Sequence, residues 1–124
     1  MSELVNVRYI VDDVDEAVGF YAEKLGFELG LDARPAFADV RRGSLRLLLS
    51  GPKSSAGRTL PDGSRPVPGG WNRIHLLVDD IEAERDRLAA AGVSFRSGII
   101  AGPGGSQVVF DDPSGNPIEL FQPR

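Results

Sequence analysis

Apolar and polar positions alternate along Leu4–Val11, and the alternation stops at Asp12-Asp13. Side chains two apart share a strand face, so this segment predicts a strand running into a helix start. Asp13 with Glu16 three residues on forms an Asp version of the capping box. Val14, Ala17, Val18, Tyr21 and Leu25 then keep helical spacing on one apolar stripe, and Gly26 supplies the favoured helix end. Phe27–Leu31, Ala36–Arg41 and Leu45–Leu49 read as three short strands, the last two joined by a hairpin turn at Arg42-Gly43-Ser44.

The pattern lapses over Gly51–Gly70, where Gly, Pro and Ser dominate and no period is sustained. This stretch reads as a linker, a flexible loop or a lid. The opening pattern then returns. Trp71–Val78 reads as a strand, Asp79-Asp80 caps a helix from Ile81, and Ala89–Gly92 ends it. Val93–Arg96, Gln107–Phe110 and Ile118–Phe121 complete a second set of three strands. Val11-Asp12-Asp13 aligns with Val78-Asp79-Asp80, and Leu25-Gly26-Phe27 with Ala91-Gly92-Val93 after a slip of one residue. The chain is therefore an internal repeat of strand, helix, strand, strand, strand. The organisation it implies is a first module over 1–50, a linker or lid over 51–70 and a second module over 71–124. Its fold class is α+β: two βαβββ modules.

At 124 residues the chain is long enough for a core without staples. It has no cysteine, which removes disulfide and thiolate chemistry and suits a cytoplasmic protein. No stretch approaches membrane-spanning length. The 18 Asp and Glu outnumber the 14 Lys and Arg, for a net charge of -4, which argues against a nucleic-acid partner, since that needs a basic face. The glycines of Ala101–Gly105 precede no helix and read as a hairpin loop, not as a phosphate cradle.

The closing stretch Phe110–Pro123 reads as strand, turn and strand, and it places Glu119 among Ile118, Leu120 and Phe121. That carboxylate faces either solvent or a cavity. Alternation on the first strand of each module groups Asn6, Arg8 and Ile10 on one face, and Arg73, His75 and Leu77 on its counterpart. The opposite faces, Val5-Val7-Tyr9-Val11 and Ile74-Leu76-Val78, are apolar and are expected to pack under the helices. On the polar faces Asn6 answers Arg73 and Arg8 answers His75.

Two modules, one opened by VDDVDEAVGFYAEKLGF and the other closed by DDPSGNPIELFQP, resemble the vicinal oxygen chelate superfamily. That superfamily includes glyoxalase I, extradiol dioxygenases, epimerases, fosfomycin-resistance enzymes and bleomycin-resistance proteins. The resemblance covers the chain apart from Gly51–Gly70. It implies that the modules form a cupped, barrel-like mixed sheet with the helices outside, that two cups lined by those polar faces enclose the site, that homodimers form, and that modules are in some members exchanged between chains. It also implies that metal-bearing members place ligands on the first and last strand of each module. Here those positions carry Asn6, Arg73, Glu119 and either Arg46 or Leu48, so one of the four is a good ligand. His75 and Glu119 suit Ni, Zn, Fe or Mn, but Arg73 keeps its charge. At an effective dielectric of about 20, a dication about 4 Å from a guanidinium is repelled by about 8 kcal/mol.

The sequence therefore supports a small-molecule binder of glyoxalase and bleomycin-resistance type, without the usual metal. Asn6, Arg8 and Arg73 are its ligand donors, and Trp71, Phe37 and Phe121 its aromatic walls. Arg73 and Glu119 can equally be an ion pair, with His75 a hydrogen-bonded cavity histidine. The rival is a metal-dependent lyase, isomerase or dioxygenase in which His75 and Glu119 are catalytic residues and metal ligands. A third alternative is a degenerate module kept as a scaffold.

Overall fold

The computed structural model describes residues 3–124, which fold as two units, the first ending at Gly69 and the second running from Gly70 to Arg124. In the first, β1 (Val5–Ile10) leads to α1 (Val14–Leu25), β2 (Glu28–Ala33), β3 (Phe37–Arg42) and β4 (Leu45–Ser50). In the second, β5 (Ile74–Leu77) leads to α2 (Ile81–Ala90), β6 (Ile100–Ala101), β7 (Gly105–Asp111) and β8 (Pro117–Pro123). The sheet orders are β1-β4-β3-β2 and β5-β8-β7-β6. In both, the first strand lies parallel to the last and the other pairs are antiparallel. The repeat in the sequence is thus a repeat in topology. Each sheet is cupped and keeps two edge strands, so neither closes into a barrel.

The caps form as the sequence predicts. Asp13 accepts a hydrogen bond from the Glu16 N–H at 3.1 Å, and Gly26 takes the left-handed conformation (φ 70°) that ends α1. Asp80 accepts from the Ala83 N–H at 3.1 Å, while Ile81 N donates to Gln122 Oε1 at 2.9 Å. That second bond ties the start of α2 to β8. The helices differ in their grip. Helix α1 buries Val14, Ala17, Val18, Phe20, Tyr21 and Leu25, whereas α2 buries only Ile81 and Leu88.

Beneath α1 lie Tyr9, Ala38, Val40, Leu47 and Leu49; in the second unit Ile74, Leu76, Val108, Phe110, Ile118 and Leu120 are likewise buried. Alternation therefore turns Asn6, Arg8, Phe37, Asp39, Arg41, Arg46 and Leu48 to the open face of the first sheet. In the second it turns His75, Leu77, Gln107, Glu119 and Phe121 outward in the same way. Val5 departs from its expected place under the helix and is 59% exposed. Helix α1 packs over β2, β3 and β4, which leaves this end of the edge strand β1 uncovered.

Two further strands differ from expectation. The strand expected from Trp71 begins only at Ile74. Val93–Arg96 forms no strand: Phe95 makes one bridge to Phe110, and the ladder on β7 resumes at Ile100. Arg96 N and Asp111 N still bond to Val109 O and Ser94 O, but the bend at Arg96-Ser97 interrupts the pairing. At the edge of the first sheet, Arg34 donates two side-chain hydrogen bonds to Asp32 and lies 3.4 Å from Asp15. The Arg34 bonds hold the Asp32 carboxyl down at about 2.

Residues 51–69 are a run of turns, not a featureless linker. Gly51 N donates to Ala36 O, Ser54 Oγ donates to Gly51 O at 2.7 Å, and Gly57 N donates to Ser54 Oγ at 3.0 Å. A Cβ at Gly57 would overlap the Gly51 carbonyl. Gly57→Ala is therefore expected to destabilise the protein by about 1–3 kcal/mol, the usual consequence of overpacking. A thermal melt that matches wild type would show that this chain of turns does not need the close approach.

Candidate functional site

In the second unit the parallel ladder sets His75 opposite Glu119 and Leu77 opposite Phe121. Alternation turns these residues to the open face, so one carboxylate meets two nitrogen-bearing side chains. Arg73 Nε donates to Glu119 Oε1 at 3.0 Å, and Nη2 lies 2.9 Å from the same oxygen. His75 Nε2 approaches the other oxygen, Oε2, at 3.4 Å, a contact that becomes an ion pair when the imidazole is protonated. The His75 and Phe121 rings stack at 4.9 Å with 34° between their planes. Arg73 Nη1 also donates to Trp71 O at 3.2 Å. The Glu119 side chain is 10% exposed, Arg73 25% and His75 47%. The cluster is closed at the carboxylate and open at the imidazole.

Trp71 stands apart from this cluster. It is 69% exposed, and its ring is stacked by the Arg96 guanidinium at 4.6 Å. Arg96 is itself held by Asp111 Oδ1 at 2.6 Å, Gly70 O at 2.7 Å and Gly115 O at 3.1 Å. This clamp was not anticipated from the sequence, in which Arg96 was only the last residue of an expected strand.

On the first unit the open face carries Asn6, Arg8 and the half-buried Phe37. Asn6 Oδ1 accepts from Arg46 Nε at 3.0 Å, and Arg8 Nη1 donates to Ser50 Oγ at 2.9 Å. Since Arg8 pairs with Leu48 as His75 pairs with Glu119, the residue corresponding to Glu119 is Leu48, not Arg46. Two residues escaped the sequence reading. Asp39 is 2% exposed on β3, and Arg41 reaches it through Nε at 3.4 Å. The signal was present: Asp39 sits between Ala38 and Val40, which face the helix.

Within the second unit these donors do not suit a divalent ion. Glu119 already serves Arg73, His75 is the other nitrogen-bearing side chain at the carboxylate among the described residues, and a guanidinium occupies the neighbouring position. Among the described residues no three His, Cys, Asp or Glu side chains are grouped so as to hold a metal. No helix among them is long and apolar enough to cross a membrane.

Two βαβββ units, each a four-stranded mixed sheet with a helix on one face and polar side chains on the other, define a class of protein. The chain belongs to the glyoxalase/bleomycin resistance protein/dioxygenase superfamily, whose family model matches residues 3–120. It is 30% identical to an uncharacterised protein of Shewanella frigidimarina, over 96% of this chain and 92% of that one. Among solved structures it is similar to a member of the same superfamily from Sphaerobacter thermophilus, with 29% identity, a TM-score of 0.77 and 98% of each chain covered. It is similar also to TnmS3, an antibiotic binding protein from Streptomyces sp. CB03234. There the identity is 29% and the TM-score 0.73, over 100% of this chain and 98% of that one. The lactoylglutathione lyase of Agrobacterium tumefaciens shares the fold at 24% identity, with a TM-score of 0.77, over 98% of this chain and 94% of that one.

Proposed function

We propose that this protein binds a small organic ligand on the open faces of its sheets and does so without the divalent metal common in its superfamily. The Arg73–Glu119 pair carries the reading. The carboxylate that would ligate a metal is committed at 2.9–3.0 Å to a side chain that cannot lose its charge. The half-exposed His75, stacked on Phe121, supplies a flat surface and a hydrogen-bonding edge beside it. Similarity to an antibiotic binding protein supports a binding role over catalysis. In this reading the protein is a cytoplasmic homodimer.

One observation favours a second reading. His75 Nε2 and Glu119 Oε2 lie 3.4 Å apart, an acid–base couple of the kind a lyase, isomerase or dioxygenase uses. Metal analysis separates the two. Protein purified without chelator, incubated with Ni, Zn, Fe or Mn and desalted is expected to retain substoichiometric metal by elemental analysis. One equivalent of metal, lost in Glu119→Gln, would defeat the metal-free reading and favour the enzyme.

A further inference from the structure

Three arginines share the open face of the first unit in a chain of net charge -4. Arg41 and Arg46 are direct partners across the antiparallel β3–β4 ladder. Like charges placed opposite one another in this way are destabilising. Arg8 lies on β1, which flanks β4 on its other side, two register positions along from Asn6↔Arg46. Among the described residues no carboxylate pairs with Arg8 or Arg46, and Asp39 alone pairs with Arg41.

Among the described residues each guanidinium is nevertheless anchored, and at one edge. Arg46 spends Nε on Asn6 Oδ1, Arg41 spends Nε on Asp39 Oδ1, and Arg8 spends Nη1 on Ser50 Oγ. Among the described residues both terminal amino groups of Arg41 and Arg46 remain without a protein acceptor. The anchor under Arg41 is itself built in. Asp39 is 2% exposed, and a Cβ at Gly30 would overlap its carboxylate and come within 3.0 Å of Arg41 Nε. Held at the near edge and open at the far one, the three side chains need little ordering to accept a partner. Guanidinium edges match planar or tetrahedral oxyanions in geometry and charge.

We propose that the open face of the first unit is an oxyanion-binding surface, on which Arg8, Arg41 and Arg46 receive the phosphate or carboxylate of the protein's ligand. This rests on the small-ligand reading above and narrows it to organic anions. A bound oxyanion offsets the Arg41–Arg46 opposition, so that arrangement is unfavourable only in the unliganded protein.

The test is a titration of the full-length 15N-labelled protein with inorganic phosphate, phenyl phosphate and benzoate, following arginine Nε–Hε resonances by NMR. Chloride at matched ionic strength is the control, and phenol is the uncharged aromatic probe. Saturable shifts at Arg8, Arg41 and Arg46 are expected, with Arg58 and Arg85 unmoved. Arg8→Met and Arg46→Met should each weaken binding about tenfold, the weight of one charge-assisted hydrogen bond. Because each removes a like charge, neither is expected to unfold the protein; Gly30→Ala, which displaces Asp39 and Arg41, should weaken binding by an independent route. Saturation by phenyl phosphate alone assigns a phosphoryl ligand, and by benzoate alone a carboxylate. Non-saturating shifts spread over all arginines would overturn the oxyanion surface. So would phenol binding at His75 and Phe121 with no anion effect, although the small-ligand reading would then stand. Saturable binding by none of the probes would overturn both.

Discussion

Replacing Glu119 by Ala is expected to lower stability by about 2–3 kcal/mol in urea denaturation. Removing one partner of a buried ion pair costs about 3–5 kcal/mol, because the other charge is stranded. Arg73 is 25% exposed, so returning water recovers part of this loss. The double variant Arg73→Met/Glu119→Leu is the discriminating partner. With neither charge present nothing is stranded, and its stability should return to within about 1 kcal/mol of wild type, as when buried ion pairs give way to apolar residues of similar volume. If Glu119→Ala is as stable as wild type, the pair does not hold this face together. If the double variant is worse than Glu119→Ala, the carboxylate matters through His75 instead.

The second large effect falls in the β7–β8 turn. Asp112 is 4% exposed, and its Oδ1 accepts from the backbone N–H groups of Ser114 and Asn116, both at 2.9 Å. Its Oδ2 accepts from Asn116 Nδ2 at 3.1 Å. The turn is closed on the main chain by Asp112 N donating to Asn116 O and by Gly115 N donating to Asp112 O. Asp112→Ala withdraws one acceptor group from three donors. With each buried donor left unsatisfied costing about 1–3 kcal/mol, and some of that recovered by water at Ser114, the expected loss is about 3 kcal/mol. Asp112→Asn keeps one acceptor oxygen and should lose about 1 kcal/mol, since one hydrogen bond nets about that much. A melting temperature for Asp112→Ala within a degree of wild type would show that the prolines on either side hold the turn by themselves.

The fold was legible wherever the chain repeats a local rule. Asp13 and Asp80 cap because a short carboxylate before an apolar stripe reaches the N–H three residues on, and the matching segments of the two halves implied the matching sheets. Register was less legible. Period alone placed Glu119 on the open face but left Arg46 and Leu48 both available as its counterpart, and only the pairing of β1 with β4 decides for Leu48. The Arg41–Arg46 opposition depends on a two-residue turn at Gly43-Ser44, one residue shorter than the expected Arg42-Gly43-Ser44, and it acquires meaning only when both residues are seen anchored at one edge. Trp71 was assigned by residue type to an aromatic wall; its stacking on Arg96 depends on a residue 25 positions away, which no local pattern reports. The missing strand at Val93–Arg96 has a local origin instead, the backbone bend at Arg96-Ser97 that breaks the pairing with β7.

The closed bookkeeping of the ladders bears on how the chain is made. In the first unit every strand finds its partner between Val5 and Ser50, and in the second between Ile74 and Pro123. No strand of the first half waits for residues of the second. As the chain leaves the ribosome, the strands of the first sheet emerge before β5 does, so loop closure is divided between two short searches. The same self-sufficiency sets the hazard. β4 and β8 each sit between a parallel and an antiparallel neighbour, so a nascent β1 can meet the wrong central strand, and the order of synthesis favours the correct one.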